Sequence, residues 1–147
     1  MVFGNRSKEN LATCHEDLKL IANEAIKITP IDFGVSEGHR SVERQKQLFD
    51  EGKSKIDGIN RKGKHNYNPS LAFDIYIYVK GKKSLAYDEK HLTFVAGILI
   101  AVAKRLYSDG KISHILRYGG NWDGDGELIY DQSFQDLPHF ELKKPKL

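Results

Sequence analysis

Two histidines and two aspartates occupy positions in the sequence where they could hold a metal ion and activate water. His65 lies in a loop rich in Gly, Asn and Pro, and Asp74 follows nine residues later inside an apolar run. Asp136 precedes His139 by three residues near the C-terminus. Two histidines and one carboxylate around an open fourth position form a common catalytic zinc site. The pattern favours zinc bound by His65, Asp74 and His139, although such spacings also occur by chance and a histidine beside a proline-rich turn is commonly structural.

The residues around Asp74 alternate as expected for a strand with one apolar face, because side chains two residues apart share a face. The apolar set is Leu71, Phe73, Ile75 and Ile77. Asp74 falls on the opposite face in mid-strand, where burying a carboxylate costs free energy unless a cation meets it. A metal ion shared with His65 would supply that cation.

A metal-dependent hydrolase also needs a base and a positive charge for the developing oxyanion. Asp136 can take the proton of the attacking water and pass it to the leaving amine. Arg40 follows Gly38 at the end of a predicted strand and can stabilise the oxyanion as a bidentate donor. Glu141, on the same strand face as His139, could accept the second ring N–H of a ligand histidine. A plain surface glutamate is an equal alternative.

The hydrophobic patterns that must position these residues predict a small α+β domain. They predict helices over residues 7–28, 41–51 and 89–108, and strands over residues 33–38, 71–79, 115–118 and 140–142. The helix over residues 89–108 is apolar nearly all round, so we expect it at the centre of the core. Short strands between helices predict one compact domain over residues 1–147, with a small, largely antiparallel sheet packed against helices.

Capping signals and apolar stripes set more detailed expectations for the first two helices. Thr13 with Glu16 resembles a capping box in the first helix, and Ser41 is a candidate cap for the second. In the first helix the predicted inward stripe is Cys14, Leu18, Ile21, Ala22, Ala25 and Ile28. In the second helix it is Val42, Gln45, Leu48 and Phe49.

Composition bounds the class of protein and its location. The chain has 147 residues, 39% apolar and 29% charged, with a formal charge of +3, which suits one globular domain and an anionic partner such as a cell wall. Its single cysteine, Cys14, excludes an internal disulfide and a cysteine-based zinc site. We see no signal peptide, and the longest apolar run, residues 92–103, is shorter than the roughly 20 residues that span a bilayer. We therefore expect a cytoplasmic protein without stable membrane association.

The remaining charged residues receive less specific interpretations. The basic loop over residues 53–64 is either solvated or a rim that faces the substrate. The acidic turn with Asp123, Asp125, Glu127 and Asp131 departs from an EF-hand in order and length, so a solvated turn is favoured over a calcium site. The other histidines are expected to be structural. His15 and His91 lie on predicted helices with no visible partner, and His114 precedes a strand. His39 could line the cleft beside Arg40, but a strand residue that points away from Arg40 is favoured.

Three segments of the sequence together resemble the zinc peptidases of bacteriophage endolysins. These segments are Gly63-Lys64-His65, Ala72-Phe73-Asp74 and Asp136-x-x-His139-x-Glu141. The similarity runs nearly end to end, and the further matching segments are Phe3-Gly4, Leu11-Ala12-Thr13, Pro30-x-Asp32-Phe33, Gly38-x-Arg40-Ser41 and Arg117-Tyr118-Gly119-x-x-Trp122. The family contains L-alanyl-D-glutamate and D-alanyl-D-alanine peptidases, which share a fold with hedgehog domains.

The resemblance implies zinc ligands at His65, Asp74 and His139, a catalytic Asp136 and a transition-state arginine at Arg40. The chain departs from the commoner family pattern in two respects. Gly63 stands where that pattern has a serine, and Asn68-Pro69-Ser70 lengthen the step from histidine to aspartate. Because Ala72 keeps its spacing to Asp74, the longer loop changes the expected substrate contacts and leaves the ligand position in place.

The leading hypothesis is a zinc-dependent peptidoglycan hydrolase that cuts the stem peptide after L-alanine. A D-alanyl-D-alanine carboxypeptidase is the first alternative, since the basic loop could hold a free carboxylate. A non-enzymatic wall-binding module is disfavoured by the presence of both Asp136 and Arg40. A metal-dependent nuclease is disfavoured by the modest net charge. We expect a monomer that acts on bacterial peptidoglycan, does not bind nucleic acid and is released by a separate pore-forming protein.

Overall fold

A four-stranded antiparallel sheet carries the residues singled out above. The computed structural model describes residues 1–128 and 136–146. Within them the strands are β1 (Phe33–Glu37), β2 (Ala72–Ile77), β3 (Ile115–Tyr118) and β4 (His139–Lys143). Their order in the sheet is β1-β2-β4-β3, and every neighbouring pair is antiparallel. The C-terminal strand therefore lies next to the strand of Asp74, in the centre of the sheet.

Four helices surround this sheet in the described part of the chain. They are α1 (Asn5–Ala12), α2 (Glu16–Ile28), α3 (Val42–Asp50) and α4 (Glu89–Ser108). Two short 3-10 turns, Lys64–Asn66 and Lys83–Leu85, flank β2. The predicted α+β class with an antiparallel sheet is confirmed, and the predicted second helix, third helix and four strands are present within a few residues of their expected bounds.

The predicted single helix over residues 7–28 is wrong, because the chain breaks between α1 and α2. At the break Cys14 forms an isolated bridge with Ser70. The His15 N–H donates to the Ser70 carbonyl and the Ser70 N–H donates to the Thr13 carbonyl, each at 2.9 Å. The predicted capping box is also wrong, since His15 Nδ1 accepts the Asp17 N–H at 3.0 Å and so caps α2. A long-range pairing thus overrides local helical periodicity.

The buried faces of α2 and α3 differ in part from the stripes that their sequences predict. The inward stripe of α2 is confirmed from Cys14 to Ala25, but Ile28 is exposed and Ile26 is buried in its place. In α3 Ser41 accepts the Arg44 N–H as the predicted cap. Gln45 and Leu48 are buried as predicted, while Val42 and Phe49 are exposed. A nine-residue helix at the edge of the fold covers only one narrow stripe, so both flanking apolar residues face outward.

The long helix α4 packs with one face on α2, β2 and β3. Its N-terminus is capped by Asp88, whose carboxylate accepts the His91 N–H at 3.0 Å. The buried face consists of Leu92, Val95, Ala96, Leu99, Ala103 and Leu106. The helix was expected at the centre of the core, but it is buried on one face only, and Phe94 and Ala101 face outward. By its length and its mean hydropathy of 1.2 alone, α4 could also cross a bilayer.

The predicted burial of Cys14 is confirmed. The residue is 1% exposed, and its sulfur contacts the carbonyl oxygens of Asn10 in α1 and Ala72 in β2. Burial raises the pKa of its thiol to about 11. The cysteine therefore serves as a small apolar residue that fills the junction between the first helix and the sheet.

Candidate metal centre

The centre of the site is a cross-strand pair in the middle of the sheet. Asp74 on β2 lies directly opposite His139 on β4. The neighbours of Asp74, Phe73 and Ile75, fill the core on the other face and are fully buried. Because successive strand residues alternate between faces, this packing turns both polar side chains toward the same cleft. Asp74 Oδ1 lies 3.0 Å from His139 Nδ1.

His65 reaches the same carboxylate from the 3-10 turn before β2. Its side chain is buried, and its Nδ1 lies 2.7 Å from the Gly38 carbonyl oxygen. A carbonyl oxygen only accepts hydrogen bonds, so Nδ1 must carry the proton. The opposite nitrogen, Nε2, faces Asp74 Oδ1 at 3.1 Å. In the neutral imidazole, His65 therefore directs a lone pair at a carboxylate oxygen.

His139 repeats this arrangement with its two nitrogens exchanged. Its Nε2 lies 2.9 Å from Glu141 Oε1. Glu141 and Asp74 are both carboxylates that only accept, so a protonated His139 donates to both of them. A metal ion at Nδ1 would replace the proton that faces Asp74 and leave the bond from Nε2–H to Glu141 in place. One nitrogen of each imidazole thus faces the same oxygen of Asp74, and either a proton or a metal ion can occupy the space between them. Metal-binding histidines commonly hold their second N–H in this way.

The three side chains have the composition and compactness of a metal site. One ligand atom from each of His65, Asp74 and His139 lies within 4.8 Å of the others. Two imidazole nitrogens and one carboxylate oxygen suit zinc, and all three residues line a cleft. The residues present therefore fit a catalytic zinc ion better than calcium or magnesium, which prefer oxygen ligands alone.

The charges of the cluster also favour a bound cation. Burial acts to raise the pKa of Asp74, but the positive charges and hydrogen bonds of His65 and His139 outweigh it and hold that pKa well below its usual range. For His139, burial acts to lower the pKa, and the hydrogen bonds to Asp74 and Glu141 raise it to about 10. The anionic cluster stabilises positive charge at its centre, whether a proton or a metal ion supplies it.

Asp136 lies beside the cluster and is held by a tight turn. Its carbonyl accepts the His139 N–H at 3.0 Å, and its own N–H donates to Gly119 at 3.1 Å. A Cβ atom at Gly119 would meet the Asp136 carbonyl oxygen at 2.1 Å, so this approach requires glycine. Burial and the negative charge of Asp74 raise the pKa of Asp136. A carboxylate with a raised pKa is a better proton acceptor near neutral pH.

Arg40 lies beside Asp74 and is fixed by two residues that the sequence did not identify as part of the site. Glu37 accepts from Arg40 Nε at 2.6 Å and from Nη2 at 3.0 Å, and Gln45 accepts from Nη1 at 2.9 Å. Arg40 Nη2 also lies 3.7 Å from Asp74 Oδ2. A guanidinium has five N–H groups. Three of them donate to Glu37 and Gln45, so one N–H group remains on Nη1 and one on Nη2. One indication of a role for Gln45 was present in the sequence, because it is a polar residue on the inward face of a predicted helix.

A cleft of about 570 Å³ surrounds the cluster. The basic segment over residues 53–64 borders this cleft, and its cationic lining residues are Lys53, Lys55, Arg61, Lys62 and Lys64. On another side the Trp122 ring lies 5.6 Å from the His139 ring, and the Arg117 guanidinium lies 4.9 Å from Trp122. The acidic turn over residues 123–127 is exposed, and Asp131 lies outside the described residues.

The other four histidines each contact a partner, although none was visible in the sequence for His15 and His91. His91 Nδ1 is bonded to Asp88 on α4. His114 Nδ1 lies 2.8 Å from Asp17, and the His15 and His114 rings are 4.9 Å apart. His39 is exposed, and its Nδ1 contacts the Tyr67 carbonyl. The partners of His114 are distant in sequence, so only the folded chain brings them together.

Glu141 offers a test of the outer part of this centre. We expect Glu141→Ala to lower zinc affinity by roughly 10–100-fold, because loss of such a hydrogen-bonding partner weakens the orientation and basicity of a ligand histidine. Glu141→Gln should lower the zinc affinity less than Glu141→Ala does, since its amide oxygen still accepts the His139 Nε2–H. Competition with a chromophoric chelator measures both affinities. Glu127→Gln, on the exposed turn, is the control, and equal affinity in all four proteins would contradict the role of Glu141.

Comparison with known proteins places the chain among phage cell-wall peptidases. A family described as phage L-alanyl-D-glutamate peptidase matches residues 1–143. The L-alanyl-D-glutamate peptidase of Escherichia phage T5 is 29% identical over 126 residues, which are 85% of this chain and 84% of that protein. The crystal structure of the Serratia marcescens L-Ala D-Glu endopeptidase ChiX superposes with a TM-score of 0.73 at 25% identity, covering 97% of this chain and 90% of that one.

Proposed function

The chain belongs to the phage L-alanyl-D-glutamate peptidase family, and from this membership we propose a zinc-dependent hydrolase that cleaves the L-alanyl-D-glutamate bond of peptidoglycan. The observation that carries the zinc assignment is the convergence of His65 Nε2 and His139 Nδ1 on one oxygen of Asp74, while the outer nitrogens of the two rings contact Gly38 and Glu141. Two histidines and a carboxylate in this arrangement can bind a divalent ion in place of the proton between them. Zinc is the ion that suits this ligand set in a hydrolase.

The proposed ligand atoms are His65 Nε2, Asp74 Oδ1 and His139 Nδ1. In this site zinc would supply a Lewis acid that polarises the attacking water and the scissile carbonyl. Gly38 and Glu141 hold the two imidazoles in the required tautomers through their outer nitrogens. The strand pairing of β2 with β4 fixes the positions of Asp74 and His139, so the ligand set is arranged before the ion binds.

Asp136 is the proposed general base and subsequent general acid. It accepts a proton from the water whose oxygen attacks the carbonyl carbon of L-alanine. When the carbon–nitrogen bond breaks, Asp136 returns this proton to the departing amine of D-glutamate, so that the proton count balances. Its raised pKa suits both transfers, because a group that titrates nearer the working pH can accept and release a proton.

Arg40 is the proposed positive charge for the tetrahedral transition state. The carbonyl oxygen of the substrate becomes anionic as water adds, and a fixed cation in a partly desolvated cleft stabilises that charge. Glu37 and Gln45 hold the guanidinium so that it need not reorganise during the reaction. In this role Arg40 can donate its two remaining N–H groups, one on Nη1 and one on Nη2, to the substrate.

The proposed product pattern is testable with purified cell walls. We expect new N-terminal glutamate and free L-alanine carboxyl ends, identified by mass spectrometry of the released fragments, and we expect no release in the presence of a chelator. Removal of terminal D-alanine with an intact L-alanyl-D-glutamate bond would support a carboxypeptidase in its place. Binding to walls without any released fragment would support a non-enzymatic wall-binding module.

We further propose that residues 1–147 act as one monomeric peptidase domain, which stays in the host cytoplasm until a separate pore-forming protein releases it. The wall substrate lies outside the membrane, so cells that produce the protein should lyse only after membrane permeabilisation. Culture turbidity with and without permeabilisation measures this, and cells that produce Asp136→Asn are the matched control. Lysis on production alone would contradict the proposed delivery.

A further inference from the structure

A second histidine–aspartate–histidine cluster lies at the junction of α2 and β3. Its members are His15, which caps α2, Asp17 in the first turn of α2, and His114 immediately before β3. One ligand atom from each lies within 4.8 Å of the others, and all three side chains are half-buried. The cluster therefore has the same residue types and compactness as the catalytic centre, although it shares no residue with it.

The carboxylate of Asp17 is fixed between the two imidazoles. Its Oδ2 lies 2.8 Å from His114 Nδ1 and accepts the Ser113 N–H at 3.0 Å. Its Oδ1 lies 3.9 Å from His15 Nδ1. The His15 and His114 rings meet edge to face with centroids 4.9 Å apart. A small displacement of these side chains would place two nitrogens and one oxygen around a single ion.

We propose that His15, Asp17 and His114 form a second metal site, distinct from the catalytic centre, that binds a borderline divalent transition-metal ion such as Zn²⁺. Imidazole and carboxylate ligands together suit zinc, nickel and copper, and they disfavour the oxygen-preferring calcium and magnesium. Partial exposure of the cluster leaves room for water to complete the coordination. The proposal does not depend on the proposed peptidase function.

The hydrogen bonds of the cluster predict weaker binding than at the catalytic centre. His15 Nδ1 accepts the Asp17 N–H and caps α2. A neutral imidazole has one lone pair, so coordination either takes this lone pair or requires the other tautomer, and both lose the capping bond. At the catalytic centre the outer nitrogens contact Gly38 and Glu141, and metal binding at the inner nitrogens leaves those two bonds in place. We therefore expect the ion at the His15 cluster to bind with lower affinity than the ion at the catalytic centre.

Occupation of this site would connect two parts of the fold that are distant in sequence. His15 and Asp17 lie at the start of α2, and His114 precedes the edge strand β3. A ligand that binds only the folded chain raises its stability. Zinc in excess should therefore raise the melting temperature further after the catalytic centre is saturated, and this second increase should depend on His114.

Zinc stoichiometry tests the proposal directly. The protein is stripped with a chelator and equilibrated with excess Zn²⁺, and bound metal is then measured by equilibrium dialysis. We expect two ions per wild-type chain, and one for His114→Gln and for His15→Asn. Asparagine is a good helix N-cap, so the second variant removes the imidazole but retains a capping oxygen. His91→Gln is the matched control, since His91 pairs with Asp88 and belongs to neither cluster.

The results separate this site from the catalytic one. His139→Ala should lose the tighter ion, and His114→Gln should lose the weaker ion while its cleavage of cell walls persists. Melting temperatures measured in chelator show whether each variant folds. One ion per wild-type chain, or two ions per His114→Gln chain, would overturn the second site. Loss of the tighter ion from His114→Gln would also overturn the second site, because the substitution would then affect metal binding only by disturbing the fold around the catalytic centre.

Discussion

Replacing Asp136 by asparagine is expected to lower turnover by about 10²–10⁴-fold, the usual contribution of general acid–base catalysis, while tightly bound zinc stays near one ion per chain. An amide of equal size keeps the shape of the carboxylate but cannot accept the proton of the attacking water. The tight turn between Asp136 and His139 uses backbone groups, so it survives the substitution. Rates of muropeptide release and metal content, measured on the same sample, give both quantities.

The control for this substitution is Asp50→Asn on α3. Asp50 is exposed and pairs with Lys46 at the surface, where an ion pair contributes little to stability. We expect wild-type turnover from that variant. If Asp136→Asn also keeps wild-type turnover, Asp136 is not the base, and Glu141 becomes the next candidate. If Asp136→Asn loses its zinc, Asp136 is a ligand and the proposed division of roles is wrong.

Replacing His139 by alanine is expected to remove most tightly bound zinc and, with it, cell-wall cleavage. The substitution deletes one of three proposed ligands and leaves Asp74 and Glu141 without their shared partner. Elemental analysis after gel filtration measures the retained metal, and circular dichroism checks the fold. His139→Gln, which fills more of the buried space, distinguishes ligand loss from a packing defect.

The control for the ligand substitution is His91→Ala. His91 is also paired with an aspartate, but on α4 and outside both histidine–aspartate–histidine clusters. It should keep wild-type zinc content and activity. Full zinc occupancy in His139→Ala would exclude His139 as a ligand and would leave His65 and Asp74 in need of a different third partner.

The sequence predicted much of the site because strand periodicity is local. The alternation around Asp74 placed its carboxylate on the face opposite the core, and the structure has it there. The spacing of Asp136, His139 and Glu141 suggested one cleft, and these residues do line it together. In these segments the face of the sheet on which each side chain lies follows from the alternation of its immediate neighbours in the chain.

The support for Arg40 could not be predicted, because it depends on an irregularity in β1. The register with β2 shifts between Val35 and Glu37, so that Glu37 lies opposite Asp74. A strict alternation would have placed Ser36 there. Such a bulge reorients one side chain and leaves no periodic signal in the sequence. The carboxylate that holds Arg40 therefore becomes visible only in the folded chain.

The helix break at Thr13–His15 was missed for a related reason. Apolar residues on both sides of the break keep a continuous helical period, but Cys14 pairs with Ser70. This pairing depends on where the loop before β2 lies. The contact of His114 with Asp17 likewise joins residues that are distant in sequence. Long-range contacts of this kind require the tertiary structure.

The central claim, that an ion held by His65, Asp74 and His139 is required for cleavage, is tested most directly by zinc titration of the chelator-stripped protein. The measured quantity is the initial rate of L-alanyl-D-glutamate cleavage in a defined stem peptide. We predict no cleavage without metal, a linear rise with added zinc, and saturation near one equivalent because this site binds more tightly than the second cluster. Full cleavage by the stripped protein in the presence of chelator would contradict the claim.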